Sequence, residues 1–284
     1  MNKLILKKFP SLLAILVVAG GVQTFTSCSS DDDGGGDTPS SSSVGTQGGG
    51  SSSSVAAQGG SSSSPVPSCG EYDHETQYCS NGNIKDYEFV PYEGQTYKTV
   101  VIGEQVWFAE NLNYEVEGSK CCENLDSNCD IYGRLYNWAM AMDFDEICNT
   151  TACAGQVNAP HQGICPDGWH IPSKEEWNTL SSYVESNSGC SGCDASRLKA
   201  ARGWTPYRDI KNLDTYGFSA LPGGLNHPND YNSFVRNSGY WWTTDEDLSN
   251  HTYYREMSYG NDFVITWSSS YYKSILLSIR CVKD

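Results

Sequence analysis

The hexapeptide PSKEEW at residues 172–177 decides where the main helix of this chain begins. Ser173 can accept a hydrogen bond from an amide of the first turn, and Glu176, three residues later, can accept one from the backbone of Ser173. The apolar residues that follow at helical spacing are Trp177, Leu180 and Val184. The sequence therefore predicts an amphipathic helix that starts at Ser173 and buries one apolar stripe.

A hairpin and a short helix are predicted before this main helix. Residues 96–102 and 105–108 are two β-rich runs, and Gly103-Glu104 between them has the composition of a tight turn. Four apolar residues then recur at helical spacing, namely Leu135, Trp138, Ala139 and Met142. We therefore expect two antiparallel strands followed by a short amphipathic helix.

Strand patterns dominate the chain after the main helix. A short helix is predicted at residues 197–201, ending at Gly203, and the chain becomes strand-rich beyond Tyr216. Gly, Asn and Asp turns separate four β-rich runs, residues 239–244, 252–258, 263–268 and 274–282. The order of a hairpin, helices and then strands predicts a single α+β domain with short helices and a largely antiparallel sheet.

Residues 1–27 have the order of a secretory signal peptide. Basic residues precede an apolar run that is too short to cross a bilayer, which takes roughly 20 apolar residues. The sequence FTSC at residues 25–28 resembles a bacterial lipobox. We therefore expect cleavage before Cys28 and acylation of that cysteine, with an ordinary secretory signal as the alternative.

Residues 28–67 are expected to be the acylated Cys28 followed by a disordered tether of Asp, Gly and Ser. This composition cannot bury enough apolar surface to offset the entropy of the chain. The acidic run at residues 31–33 resembles the signals that send lipoproteins to the outer surface of some Gram-negative cells. We expect a lipid-anchored, extracytoplasmic protein of the bacterial outer membrane or cell surface, with a plain solubilising linker as the alternative for residues 31–33.

Two segments are expected after the tether. Cys69 and Cys79 enclose a short polar stretch, so residues 68–84 are predicted to form a small disulfide loop. Residues 85–284 are predicted to form the folded domain, which is long enough for one hydrophobic core.

The formal net charge of −16 excludes partners that are approached through phosphate. Nucleic-acid binding rests on a basic surface, and an acidic protein is also repelled by anionic lipid. No nucleic-acid partner is therefore expected, and attachment to the membrane must come from the acyl group.

The 12 cysteines indicate a compartment in which disulfides persist. Short spacings predict three bridges, Cys122 with Cys129, Cys148 with Cys153, and Cys190 with Cys193. Acylation of Cys28 leaves an odd number of cysteines, and Cys121 is then the odd thiol.

A zinc site or a redox motif is the alternative at residues 190–193. Zinc sites normally combine two such pairs and redox pairs open a helix, whereas this pair lies in a Ser/Gly loop, so a structural disulfide is expected.

Six motifs occur in the order of one known family. They are VWFAENL at 106–112, YGRLYNW at 132–138, CPDGWHIP at 165–172, YGFSALPGG at 216–224, WWTT at 241–244 and SIRCVKD at 278–284. The chain resembles the Fibrobacter succinogenes major paralogous domain over roughly residues 85–284. That family is similar to the C-type lectin-like and sulfatase-modifying-factor folds. The resemblance implies a disulfide-stapled, C-type lectin-like fold at the cell surface and a bridge between Cys165 and Cys281, and it implies no settled activity.

No catalytic constellation is apparent in the sequence. The five histidines are dispersed, and no metalloprotease motif, nucleophile elbow or phosphate loop is present. His170 is expected to serve packing and hydrogen bonding. The residues Asp245, Glu246 and Asp247 lack the alternating oxygens of a calcium loop, so a solvated turn is favoured over a metal site. We expect no enzyme activity, no cofactor and no metal.

Aromatic residues carry the functional hypothesis. Alternate residues of a strand face opposite sides, so Trp241 and Trp242 are not expected to be buried together. The candidate ligand-binding residues are Tyr231, Trp241, Trp242, Tyr254 and Trp267. The leading hypothesis is a non-enzymatic adhesion module for polysaccharide, because aromatic rings stack on sugars. The alternatives are a protein-interaction module of a surface assembly and an oxidative enzyme of the sulfatase-modifying type.

Overall fold

Antiparallel strands form most of the regular structure in residues 69–227, 233–268 and 271–284, which are the residues that this computed structural model describes. The strands are β1 (Gln77–Ser80), β2 (Asn83–Asp86), β3 (Glu88–Tyr92), β4 (Gln95–Ile102), β5 (Gln105–Phe108), β6 (Lys120–Cys121), β7 (Arg134–Leu135), β8 (Trp169–His170), β9 (Ser238–Leu248), β10 (His251–Ser258), β11 (Ile265–Trp267) and β12 (Val282–Lys283). The α-helices are α1 (Asp126–Tyr132), α2 (Trp138–Met142), α3 (Lys174–Ser188) and α4 (Asp194–Leu198). Three 3-10 turns lie at Cys122–Asn124, Glu146–Asn149 and Ala154–Gln156.

A five-stranded sheet in the order β3-β4-β5-β12-β8 forms one side of the domain. The predicted hairpin is confirmed, because β4 pairs antiparallel with β5 and Val101 lies opposite Val106. Gly103 has φ +64° in the turn, a conformation that glycine adopts without strain. Strand β12, near residue 284, lies between β5 and β8 and pairs antiparallel with both.

A second sheet has the order β11-β10-β9, and its strand β9 is covered on both faces around Trp241. Trp241 packs in one hydrophobic core with Trp107 and Trp177, while Trp242 packs in the other with Trp138. Both indoles of the Trp241-Trp242 pair are fully buried. The prediction that they would not be buried together was wrong, because β9 lies between two cores and neither of its faces at this point meets solvent.

The main helix begins where the sequence predicted. Ser173 accepts a hydrogen bond from the amide of Glu176, and the Glu176 carboxylate accepts one from the amide of Ser173, which completes the capping box. A carboxylate oxygen of Asp245 accepts a further hydrogen bond from the amide of Lys174. Trp177, Leu180 and Val184 are fully buried. The helix ends at Gly189, whose φ of +64° reverses the chain.

The shorter elements were predicted with less accuracy. Helix α2 is present, but Leu135 belongs to β7 instead of to that helix. Helix α4 starts three residues before the predicted residues 197–201. The last predicted strand, residues 274–282, is regular only in β12, because residues before it form single bridges to different neighbours, such as Tyr136 with Leu277 and Trp241 with Ser278. The prediction of a single α+β domain is confirmed.

Five disulfide bridges link the described residues. They are Cys69–Cys79, Cys121–Cys129, Cys148–Cys153, Cys165–Cys281 and Cys190–Cys193. Four of them are the expected pairs. The expectation that Cys122 would pair with Cys129 and leave Cys121 over was wrong. The backbone is extended at Cys121, so adjacent side chains diverge: Cys121 faces α1, and Cys122 is buried beside Tyr132 and Leu135.

The small disulfide loop packs onto the rest of the domain. Tyr78 in β1 is buried in the core that contains Trp107, and its hydroxyl accepts a hydrogen bond from the amide of Val101 at 3.1 Å. A Cβ on Gly217 would lie only 2.6 Å from the Cβ of Tyr78, so the close contact requires a glycine. The core therefore includes part of the predicted disulfide loop, residues 68–84.

The expected signal peptide, the Cys28 anchor and the tether lie outside the described residues. None of the helices that the structure describes is long and apolar enough to cross a membrane.

Candidate binding groove

The structure excludes most of the predicted aromatic residues as ligand contacts. Trp241, Trp242 and Tyr254 are at most 1% exposed, so none of them can stack on a ligand. Tyr231 lies outside the described residues. Trp267 is 39% exposed and is the one predicted aromatic among the described residues that reaches the surface.

Trp267 sits on the short edge strand β11, opposite Tyr254 of β10. Its indole nitrogen donates a hydrogen bond to the carboxylate of Glu256 at 2.6 Å, which fixes the orientation of the ring. The nearby aromatic residues continue into the core, because the Tyr271 ring centroid lies 5.5 Å from that of Tyr254. Trp267 is therefore an exposed aromatic residue on the edge strand, opposite a buried tyrosine.

A polar groove, which sequence reasoning missed, is formed by three cavities that share lining residues. The cavity at one end has a volume of about 260 Å³, the middle cavity about 160 Å³ and the cavity at the other end about 490 Å³. The first and the middle cavity share Glu110 and Leu221, and the middle and the third share Gln95, Asn113, Cys129 and Asp130. Because the cavities adjoin, they provide one elongated surface depression.

The floor of the groove depends on Gly133, which ends α1. Gly133 has φ +73°, and a Cβ at this position would lie 2.8 Å from both the Cβ of Asn111 and the carbonyl oxygen of Leu112. Only a glycine therefore lets the end of α1 approach residues 111–113 so closely. This close approach leaves the middle of the groove lined by polar groups of β4 and of the segment that follows β5.

Two tyrosines form the first end of the groove. The ammonium of Lys98 lies 5.2 Å from the ring centroid of Tyr87 and 3.4 Å from the carboxylate of Glu75. The Tyr72 ring packs against His74 with centroids 4.3 Å apart. Burial raises the pKa of Tyr87, so its hydroxyl stays protonated and is able to donate a hydrogen bond.

Asp214 also lines this end of the groove. Burial raises the pKa of Asp214 to about 6, against the opposing effects of its hydrogen bonds from Ser219 and of the charge on Arg280. The amide and the hydroxyl of Ser219 donate to its two oxygens at 2.8 and 2.6 Å. Asp214 itself has φ +43°, in the left-handed region. The carboxyl is thus held rigidly in a setting that disfavours its charged form.

The opposite end of the groove is acidic. Its lining includes the carboxylates of Glu93, Glu115, Asp126 and Asp130. Arg134 is the basic residue there, and its guanidinium lies 3.0 Å from the carboxylate of Glu115. Within the described residues, no three His, Cys, Asp or Glu side chains are grouped so that they could hold a metal ion. The groove therefore favours neutral or cationic ligands over polyanions.

A buried polar network lies beneath the groove and explains several motif residues. The Asn111 side-chain oxygen accepts hydrogen bonds from the Trp241 indole at 2.9 Å and from Nη2 of Arg280 at 2.9 Å. Its amide nitrogen donates to the carbonyl oxygen of Tyr132 at 2.8 Å. Arg280 donates further to the carbonyl oxygens of Phe108 and Phe218. These motif residues thus join four distant segments and build the scaffold.

The acidic triplet at 245–247 does not form the solvated turn that we expected. Glu246 is buried in an ion pair with Lys273, and its oxygens also accept hydrogen bonds from the amides of Cys153 and Ala154. Lys273 lies 4.3 Å from the ring centroid of Trp138. The carboxylate of Glu246 is therefore engaged within the protein.

His170 connects two segments, in agreement with its predicted hydrogen-bonding role. Its Nδ1 lies 2.8 Å from the Asp284 carboxylate and its Nε2 lies 2.7 Å from Glu176. Burial alone would lower the pKa of His170, but the two carboxylates outweigh it and raise the pKa. The two carboxylates therefore stabilise the imidazolium form, in which both ring nitrogens donate.

The fold and the groove define a class of protein, a disulfide-linked α+β domain with an open polar groove as its candidate binding site. The chain belongs to the Fibrobacter succinogenes major domain family, whose model matches residues 100–283. No curated protein and no solved structure matches the chain. The family prediction is confirmed, while the C-type lectin-like relationship stays a prediction.

Proposed function

We propose that this protein is a surface-displayed lipoprotein whose domain is a non-enzymatic binding module, with a polysaccharide chain in the groove. The observation that carries the proposal is the groove itself, an elongated depression with tyrosines at one end and amide and carboxylate groups along it. An elongated site suits an extended polymer, and sugar hydroxyls need many polar partners at the correct spacing.

The charge of the groove narrows the class of polysaccharide. The lining combines the neutral side chains of Gln95 and Asn113 with the carboxylates of Glu110 and Asp130. A chain of uronic acids would meet like charges there. We therefore propose neutral or amino-sugar polymers as the ligand class.

The location rests on the sequence of the amino-terminal residues. Acylation at Cys28 would hold the domain at the outer membrane or cell surface through the lipid, and several acyl chains make such an anchor stable. Five disulfides in the described residues support an oxidising compartment. The C-type lectin-like relationship of the family remains part of this proposal.

Retention on insoluble glycans tests the binding function. The full chain carrying Cys28→Ser would be passed over neutral, amino-sugar and uronate polysaccharides beside a variant with Gln95→Ala and Asp130→Ala. Both residues are exposed and line the middle of the groove. We expect retention on a neutral or amino-sugar polymer and at least a tenfold loss of affinity in the double variant.

A matched control is a second double variant, Glu104→Ala with Asp209→Ala, in which two exposed residues outside the groove lining are changed. It should bind like the parent. Loss of binding in the control alone would place the site elsewhere, and no retention on any polysaccharide would remove the glycan proposal.

The alternative role is protein interaction through the edge of the second sheet. β11 pairs only with β10 among the described strands, and Trp267 on this edge strand is 39% exposed. An unpaired edge with exposed aromatics is a typical protein-binding feature. Trp267→Ala would then abolish capture of a surface protein partner while leaving glycan retention unchanged.

An oxidative enzyme of the sulfatase-modifying type is the least favoured alternative. Such an enzyme needs a reactive cysteine pair in its cleft, whereas Cys281 is fully buried and bonded to Cys165. Titration of accessible thiols in the folded chain tests it, because two fast-reacting thiols that include Cys281 would revive that function.

A further inference from the structure

The turn CSGC at residues 190–193 differs in its setting from the loop that the sequence suggested. It connects α3 to α4, and Cys193 directly precedes the first residue of α4. Gly192, with φ +67°, shapes the turn, and its amide donates a hydrogen bond to the Glu185 carboxylate at 2.7 Å. The pair is therefore held on a defined turn at the start of a helix.

This bridge contributes the least of the five to the stability of the fold. Its cysteines are only three positions apart, and in the chain-entropy model the stabilisation falls as the closed loop becomes shorter. Cys190 and Cys193 are also partly exposed, while the bridges at Cys121–Cys129 and Cys165–Cys281 join buried side chains. A thiolate from another molecule can thus approach the Cys190–Cys193 bridge but not the buried ones.

Arg197, on the following turn of α4, lies against one of the two sulfurs. Its Nη2 is 3.9 Å from Sγ of Cys190, and the residue is only 8% exposed. Nε and Nη1 have no hydrogen-bond partner among the described residues, and none of the ion pairs found there includes Arg197. A buried guanidinium without an ion-pair partner in direct contact is unfavourable, so an anion at Cys190 would be stabilised.

The other charged groups around Arg197 do not replace such an anion. Asp262 acts on Arg197 only through space, the Tyr216 phenol is neutral because burial raises its pKa, and Glu185 is engaged by the amide of Gly192. A neighbouring Arg is one of the environments that stabilise a reactive thiolate. When the disulfide is broken, the thiolate of Cys190 lies beside the positive charge of Arg197.

We propose that Cys190 and Cys193 form a redox-active centre that exchanges with protein dithiols. A thiolate of the partner attacks Sγ of Cys193, a new intermolecular disulfide forms, and Sγ of Cys190 leaves as a thiolate beside Arg197. The partner's second thiolate then attacks the partner sulfur that is bonded to Cys193. Cys193 leaves as a thiolate and takes up a proton from water. The partner loses two electrons and becomes a disulfide, and the two cysteines of the centre are reduced.

Equilibration of the full chain in glutathione redox buffers tests the proposal, with alkylation and mass spectrometry of each cysteine pair. We expect Cys190–Cys193 to be reduced in buffers that leave Cys165–Cys281 oxidised. Arg197→Met should favour the disulfide at least tenfold, which is about 30 mV for a two-electron couple. Arg197→Lys should restore most of that difference. Reduction of both bridges together, or no effect of Arg197→Met, would overturn the proposal.

Single-cysteine variants keep the test decisive if Arg197→Met does not fold. Cys193→Ser leaves Cys190 beside Arg197, and Cys190→Ser leaves Cys193 without that contact. At neutral pH, Cys190 in the first variant should react with iodoacetamide at least tenfold faster than Cys193 in the second. Equal rates would show that Arg197 does not activate the thiol and that the bridge is merely structural.

Discussion

Two polar regions lie one above the other in this domain, and they are built in opposite ways. Below, Asn111, Trp241 and Arg280 form a buried network with short hydrogen bonds. Above, in the groove, Asp214 is held with a raised pKa and Asp130 is exposed to water. The three network residues belong to sequence motifs, whereas Asp130 and Asp214 do not. The comparison indicates that these three motif residues maintain the scaffold, whereas the groove is lined both by motif residues such as Glu110 and Arg134 and by residues outside the motifs.

Loss of a buried charge should have the largest effect on stability. Lys273 donates to Glu246 and to the carbonyl oxygens of Cys148, Thr151 and Ser249, and its side chain is completely buried. Lys273→Met leaves the Glu246 carboxylate uncompensated, so we expect a loss of about 3–5 kcal/mol in the free energy of unfolding, measured with denaturant.

The groove supplies the control for this ion pair. Glu115 pairs with Arg134 while its side chain remains 77% exposed, so Glu115→Gln should cost less than about 1 kcal/mol. Similar losses from Lys273→Met and Glu115→Gln would contradict the distinction between a stabilising interior and a tolerant groove.

Removal of Asn111 should have the next largest effect. Asn111→Ala deprives the Trp241 indole and the Arg280 guanidinium of their shared acceptor. Each buried donor left without a partner costs about 1–3 kcal/mol, so we expect a loss of about 2–4 kcal/mol in the free energy of unfolding.

The matched variant for Asn111 is Asn113→Ala, two residues along in the groove. The side-chain oxygen of Asn113 accepts no hydrogen bond among the described residues, so its loss should cost less than about 1 kcal/mol. If Asn113→Ala destabilised the protein as much as Asn111→Ala, the groove would be part of the scaffold.

The parts of the fold that were predicted correctly depend on neighbours in the sequence. The capping box at Ser173 and Glu176 and the turn at Gly103 are local, so their residue types were sufficient. The burial of both Trp241 and Trp242 depends on which segments cover β9 from the two sides. A pattern of alternating residues contains no information about that second layer.

The groove could not be predicted from the sequence for a similar reason. Its lining comes from β4, α1 and the segments after β5 and around Asp214, which meet only in the folded chain. Gln95, Asp130 and Asp214 follow no ligand spacing. The disulfide error had a local cause, since the spacings from Cys121 and Cys122 to Cys129 differ by one residue and only the backbone direction decides between them.

The smallest predicted change is a gain in the free energy of unfolding. It tests whether the groove is maintained at the expense of stability. A carboxyl whose folded pKa is raised to about 6 binds its proton more tightly in the folded state, so it contributes stability below about pH 4. That contribution is lost as the pH rises through about 6. Asp214→Asn keeps a neutral group facing Ser219 and should be more stable than the parent by about 1–2 kcal/mol at pH 7, after allowance for partial solvent exposure.

The free energy of unfolding of the parent should decline between about pH 4 and 6, and that of Asp214→Asn should not. Denaturant unfolding at several pH values measures this difference. Natural proteins often retain such unfavourable groups where binding needs them. Asp214→Asn should therefore be more stable but weaker in glycan retention, whereas Asn111→Ala is less stable and affects retention only through unfolding. If Asp214→Asn left both stability and retention unchanged, the carboxyl would belong to neither region, and the groove would have to be redefined around Gln95 and Asp130.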